Sequence, residues 1–292
     1  MNSPTLDQLS QIQSQLETLD LSSVSDATVS NLVKALWNGM TPLSVDLDHN
    51  RIWYRARRCK DHVPFNNLDE LIYNNNGCTG YGRAQVAGSK VLYAGWNENV
   101  ALDEIERKPG DLIQIIAIRP RMGAIVPCFA VGEVVGFRNS NRSQFGSTET
   151  LTAQLEKLGN DFRLVAYRDA VIAHYFRKRV EHSYEYKVTA AFSEIFHGVG
   201  GLIFPSVQTP YAYNLAINNQ VFDKQFEVIA TMVLKIISAP GHGIYHAEKH
   251  SFCHDFLPDG TINWGSPMRR DLSFPSNFGM HEVTYQAGWR KL

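Results

Sequence analysis

Cysteine is scarce and scattered in this chain. There are four residues, Cys59, Cys78, Cys128 and Cys253, and no two of them form a Cys-x-x-Cys pair. That argues against a zinc ribbon and against a disulfide scaffold, and it fits the reduced thiols of a cytosolic protein. Net charge is also lacking: Lys plus Arg is 28 against 29 for Asp plus Glu, a formal -1. Such a balance supplies no large positive field for nucleic acid, and it is not the charge of an acidic disordered chain. No apolar run approaches the ~20 residues of a membrane span. The polar N-terminal stretch MNSPTLDQLSQIQSQLETLD holds no apolar signal segment. The expected location is the cytoplasm, with no membrane and no nucleic acid among the partners. Neither Gly-x-Gly-x-x-Gly nor a P-loop motif occurs, so the two commonest nucleotide-binding turns are unsupported.

What is present reads as a large soluble domain. At 292 residues the chain can bury a core without staples. Leu6, Leu9, Ile12, Leu16 and Leu19 recur at helical spacing, and Val29, Leu32, Val33, Leu36 and Trp37 form a second stripe behind Ser25 and Asp26. Residues 1–44 are therefore expected to be a helical N-terminal module, its second helix ended at Gly39. Strand signals follow at RIWYRAR (51–57), KVLYAG (90–95), DLIQIIAIR (111–119) and GGLIFP (200–205). A helix is predicted over 97–108, stopped by Pro109-Gly110. Residues 120–160 read as irregular, 161–197 as mostly helical, 225–239 as a strand pair, and 257–264 as a hairpin turning at Asp259-Gly260. Strands and helices mix without a βαβ rhythm, so the predicted class is α+β. The expected division is a core over 45–235 and a C-terminal extension over 236–292 packing on it.

Polar groups stand out at the ends of these apolar strands. Arg55 lies inside WYRAR. Arg83 lies in GRAQVAG, followed by Tyr93 and then by Glu104 on the next helix. Ser206 follows GGLIFP, with Asn214 further on. Singly each has a plain explanation: a strand-edge arginine, a helix-surface acid, a turn serine.

Together, in this order and spacing, they resemble a family. WYRA (53–56), GRAQVAGSKVLYAGWNENVALDEIERKPGD (82–111) and YKVTAAFSEIFHGVGGLIFPSVQTPYAYNLAI (186–217) are similar to the RES domain, named for an arginine, a glutamate and a serine. The likeness spans roughly 50–235. Gln85 stands where the family more often has Asn, and Ala87 near a usual Pro.

The resemblance implies an ADP-ribosyltransferase-like mixed β-sheet core with flanking helices, and a toxin-like enzyme that uses NAD⁺ as substrate. It implies cleavage of the nicotinamide–ribose bond by phosphorolysis or hydrolysis, with inorganic phosphate as a possible co-substrate and a cognate antitoxin or immunity protein as partner. Transfer of ADP-ribose to a protein is the alternative, and an inactive RES-like binding module a further one. Arg55, Glu104 and Ser206 are the expected catalytic residues. Arg55, Arg83, Tyr93 and Asn214 are the expected substrate-binding ones. The chemistry of the residues agrees with this. Guanidinium groups clamp a pyrophosphate, and a carboxylate stabilises an oxocarbenium-like centre.

One further pattern stands apart. His242, His246, His250 and His254 recur every fourth residue, beside Cys253. On a helix they would share a face, as metal ligands do. Gly241 and Gly243 disfavour a helix there, and a polar, solvated face is the plainer reading. No metal is expected.

Overall fold

The computed structural model describes residues 4–38, 44–196, 200–241 and 243–265. Helix α1 (Leu6–Thr18) begins at a capping box in which Thr5 and Gln8 satisfy each other's backbone N–H groups. Helix α2 (Asp26–Trp37) begins at Ser25, whose hydroxyl accepts from Thr28 N. Gly39 lies outside the described residues.

The strands are β1 (Ser44–Leu47), β2 (Trp53–Arg58), β3 (Val91–Gly95), β4 (Leu112–Pro120), β5 (Val126–Ala130), β6 (Gly201–Pro205), β7 (Tyr213–Asn218), β8 (Phe226–Gly241) and β9 (Ile244–Cys253). They form one nine-stranded sheet in the order β1-β5-β6-β7-β3-β2-β4-β8-β9. Among the described residues only β5 and β6 pair in parallel; the other neighbours are antiparallel. Helix α3 (Glu98–Glu104) follows β3. Helices α4 (Glu133–Ser140), α5 (Thr148–Leu158), α6 (Phe162–Arg177) and α7 (Lys187–Ser193) all lie between β5 and β6, and α8 (Asn219–Gln225) joins β7 to β8. The protein is α+β with a mixed sheet. Among the described residues no helix is long and apolar enough to cross a membrane.

The period of two along each strand separates the two faces. Val91, Leu202, Phe204 and Ala216 pack with α1, α2 and α4–α7. Their neighbours Leu92, Ala94, Ile203, Leu215 and Ile217 join a second cluster with α8 and the segment around Leu71–Tyr73. One buried arginine fastens the helical layer. Arg168 on α6 donates from Nε to Leu36 O (2.7 Å) and from Nη2 to Asn38 O (2.8 Å). It thereby satisfies carbonyls that the end of α2 leaves without helical partners. On the same helix, buried Asp169 accepts from Gly132 N (2.7 Å) and Val135 N (3.0 Å) at the start of α4.

Several expectations are corrected. Helix α3 stops at Glu104, not 108. Glu106 turns the chain with φ 49°, and Arg58 Nη2 takes the carbonyls of Ile105 and Glu106. The stretch 120–160, read as irregular, holds β5, α4 and α5. Its Ser- and Asn-rich connections hide the short apolar stripe of Leu151 and Leu155, which α5 buries. Residues 225–239 are one long strand rather than a pair; β4 and β9 flank it. The mostly helical 161–197 divides into α6 and α7. The Asp259-Gly260 turn forms, with Gly260 at φ 83°, but Phe256 and Ile262 make only an isolated bridge across it.

Candidate active site

Four adjacent strands bring polar side chains to one region. Ser206 stands just beyond β6, Asn214 on β7, Tyr93 on β3 and Arg55 on β2. Glu104 arrives from the last residue of α3, which packs on β2 and β3. The glycine that ends β3 permits that approach: a Cβ on Gly95 would lie 2.8 Å from Ala101 N.

Glu104 Oε1 accepts two hydrogen bonds, from Ser206 Oγ (2.6 Å) and from Asn214 Nδ2 (2.7 Å). These residues lie 102 and 110 positions away in sequence. Ser206 Oγ in turn accepts from the N–H groups of Gln208 (3.2 Å) and Thr209 (3.0 Å). Its proton therefore goes to the carboxylate while its lone pairs face main-chain donors. That arrangement orients Glu104 rather than exposing a nucleophile.

Arg55 is half-buried. Its Nε donates to Leu71 O (2.8 Å) and its Nη1 to Tyr93 O (3.1 Å). Burial, then the nearby Arg57 charge, lowers its pKa to about 10, so it remains a cation at neutral pH. Arg83 Nη1 donates to Phe176 O (2.6 Å) and Lys178 O (3.0 Å), and Nη2 to Tyr186 Oη (3.2 Å). Its guanidinium lies 5.1 Å from the Tyr186 ring centre. Tyr93 Oη accepts from Ala84 N at 2.9 Å, which pins the turn carrying Arg83. Burial pushes the Tyr93 phenol above its ordinary range, so it is neutral.

The charges here are held by neutral dipoles. Among the described residues neither Arg55 nor Arg83 has a carboxylate at ion-pair distance, and Glu104 has no cation. Two positive groups and one negative group thus line a cavity of about 380 Å³, together with Tyr93, Tyr186, Asn214 and Gln208. Five of the six residues singled out in the sequence line that cavity, and Ser206 reaches it through Glu104. Tyr186 and Gln208 were missed. Tyr186 lies in the quoted YKVT segment, and nothing in its spacing announces a partner 103 residues away. A neighbouring cavity of about 560 Å³ is larger, but its Asp103 and Arg107 pair with each other.

Gln85 serves the turn with its backbone, exchanging bonds with Gly82 (3.0 and 3.3 Å). A Cβ on Gly82 would meet the Gln85 side chain at 2.8 Å. The histidines do not form a helix face. His246 and His250 lie on β9, whose register shifts between them, and His254 lies beyond its end. His242 is outside the described residues. Among the described residues no three His, Cys, Asp or Glu side chains converge on a metal-sized site.

The RES domain description matches residues 52–235, well over half of the chain. The chain belongs to the RES domain family. The match includes each of the six residues discussed above and ends within β8, leaving α1, α2, β1 and β9 outside it. No curated protein and no solved structure matches the chain.

Proposed function

We propose that this RES domain protein is a toxin-like enzyme that cleaves the nicotinamide–ribose bond of NAD⁺. The observation that carries the reading is the uncompensated charge pattern of one cavity: Glu104, held by Ser206 and Asn214, facing the same space as Arg55 and Arg83. NAD⁺ carries both complements, an anionic pyrophosphate and a cationic nicotinamide riboside. Free guanidinium charge suits the first. A fixed carboxylate suits the second.

When the bond breaks, its electron pair leaves with nicotinamide, which becomes neutral, and positive charge passes to the ribose ring. A carboxylate preorganised by two hydrogen bonds stabilises that charge without reorganising. Tyr93 and Tyr186 supply aromatic walls for the planar rings. The acceptor at the ribose carbon is water or inorganic phosphate, and NAD⁺ is substrate rather than resident cofactor. An antitoxin that covers the cavity mouth is the natural control on such an enzyme, as the family implies.

Incubating purified protein with labelled NAD⁺, with and without phosphate, tests the reading. Loss of NAD⁺ to ADP-ribose or its 1″-phosphate is expected. Label on protein instead would favour ADP-ribosyl transfer, and NAD⁺ bound but never consumed would favour an inactive module. Glu104→Gln should slow the loss by on the order of a hundredfold or more while unfolding stays unchanged. Full turnover in that variant would overturn the assignment.

A further inference from the structure

The N-terminal helices lie outside the family match, yet they touch the back of the cavity at one polar joint. Tyr81, two residues before Arg83, donates its hydroxyl to Asp26 Oδ2 at the first residue of α2. Lys187, next to Tyr186, donates to Val24 O at 2.8 Å and lies 3.5 Å from Asp26 Oδ1. Its side chain is about nine-tenths buried, and its ammonium lies 5.8 Å from the Tyr81 ring centre. Arg83 and Tyr186 meet in the cavity, and the residues beside them meet on α2. An open cleft of about 380 Å³ lies beside this joint, bordered by α2, segment 81–87 and α7, while Val29, Val33 and Leu36 of α2 pack in one apolar cluster with Val188 and Phe192 of α7. Apolar packing thus fixes α2 against α7, and the polar contacts of Asp26 and Val24 tie Tyr81 and Lys187 to that fixed helix end.

We infer that Tyr81, Lys187 and Asp26 are positioning residues that hold the Arg83 turn and Tyr186 in register at the cavity, with α2 as the fixed support. Tyr81 fixes the entry to the 82–85 turn, and the Ala84–Tyr93 bond fixes its exit. Releasing the first point lets Arg83 drift from Tyr186 while Glu104 and its two donors stay in place. Substrate binding then suffers more than bond cleavage does. The kinetic part of this inference rests on the NAD⁺ reading; the structural part does not.

The test uses the full chain with Tyr81→Phe, which deletes one hydroxyl, and Lys187→Met, which deletes the charge at similar length. NAD⁺ turnover and amide hydrogen exchange across residues 82–87 are both measured. Each variant should raise KM for NAD⁺ about tenfold with kcat within about twofold, as loss of ground-state positioning does. Exchange at the turn should quicken, and Asp26→Glu, which keeps an acceptor, should stay nearer to wild type than Asp26→Ala. A purely structural role would lower kcat through lost active protein and leave KM alone; that result overturns the inference, as does unaltered exchange at 82–87. If wild type neither binds nor consumes NAD⁺, the functional reading falls, and the exchange data still decide whether α2 holds the turn.

Discussion

Replacing Asp169 by Asn should change how stability depends on pH, in a direction opposite to that of most carboxylates. Asp169 is buried and accepts the N–H groups of Gly132 and Val135. Burial raises its pKa from 3.8 to about 6; the N–H donors and the Arg177 charge pull the other way without prevailing. A folded value above the unfolded one means that the folded protein holds the proton more tightly. The associated stability is fully present below pH 4 and is lost as pH rises through 6. The rise corresponds to roughly 3 kcal/mol in the acid limit. About 2 kcal/mol of it should disappear between pH 4 and pH 7. Asn cannot titrate, so the other carboxylates cancel when the two proteins are compared. Urea unfolding at several pH values, followed by tryptophan fluorescence, gives the difference directly. Wild type should lose about 2 kcal/mol relative to Asp169→Asn across that window. A flat difference, or one in which wild type gains with pH, would refute the argument that burial outweighs the backbone donors here.

Two further outcomes follow from buried polar contacts. Arg168→Ala removes the donors for Leu36 O and Asn38 O and opens a void beneath α2; denaturant unfolding should show a loss of about 3 kcal/mol or more. Asn214→Asp replaces a donor 2.7 Å from Glu104 by a second carboxylate. The second carboxylate removes a donor and repels the Glu104 charge, so NAD⁺ loss should slow by on the order of tenfold or more. An unchanged rate would show that the Asn214–Glu104 contact does not govern the reaction.

The strands that bear the site were legible because their patterns are local. WYRAR, KVLYAG, DLIQIIAIR and GGLIFP alternate or run apolar within a few residues, and each became a strand. The convergence of Glu104, Ser206 and Asn214 was not legible in that way. It depends on β7 lying between β6 and β3, a pairing that no spacing encodes; only the family resemblance put the three residues together. Strand β7 itself, YNLAIN, escaped the pattern reading because it is short, buried on both faces and followed at once by α8. The end of α3 was missed for a different reason. The carbonyls of Ile105 and Glu106, just past its end, are taken up by Arg58, from a strand 47 and 48 residues earlier, so a tertiary donor marks the stop ahead of Pro109-Gly110.

The sequence distance between Glu104 and its donors also has a temporal meaning. On a ribosome adding about 5–20 residues per second, Ser206 and Asn214 are made several seconds or more after the carboxylate they hold. Until β6 and β7 have been synthesised and have joined the sheet, Glu104 has neither partner. The crossover of α4–α7 must also be accommodated before β6 can pair with β5. The Glu104 cluster is therefore a late product of synthesis, complete only once β6 and β7 have joined the sheet.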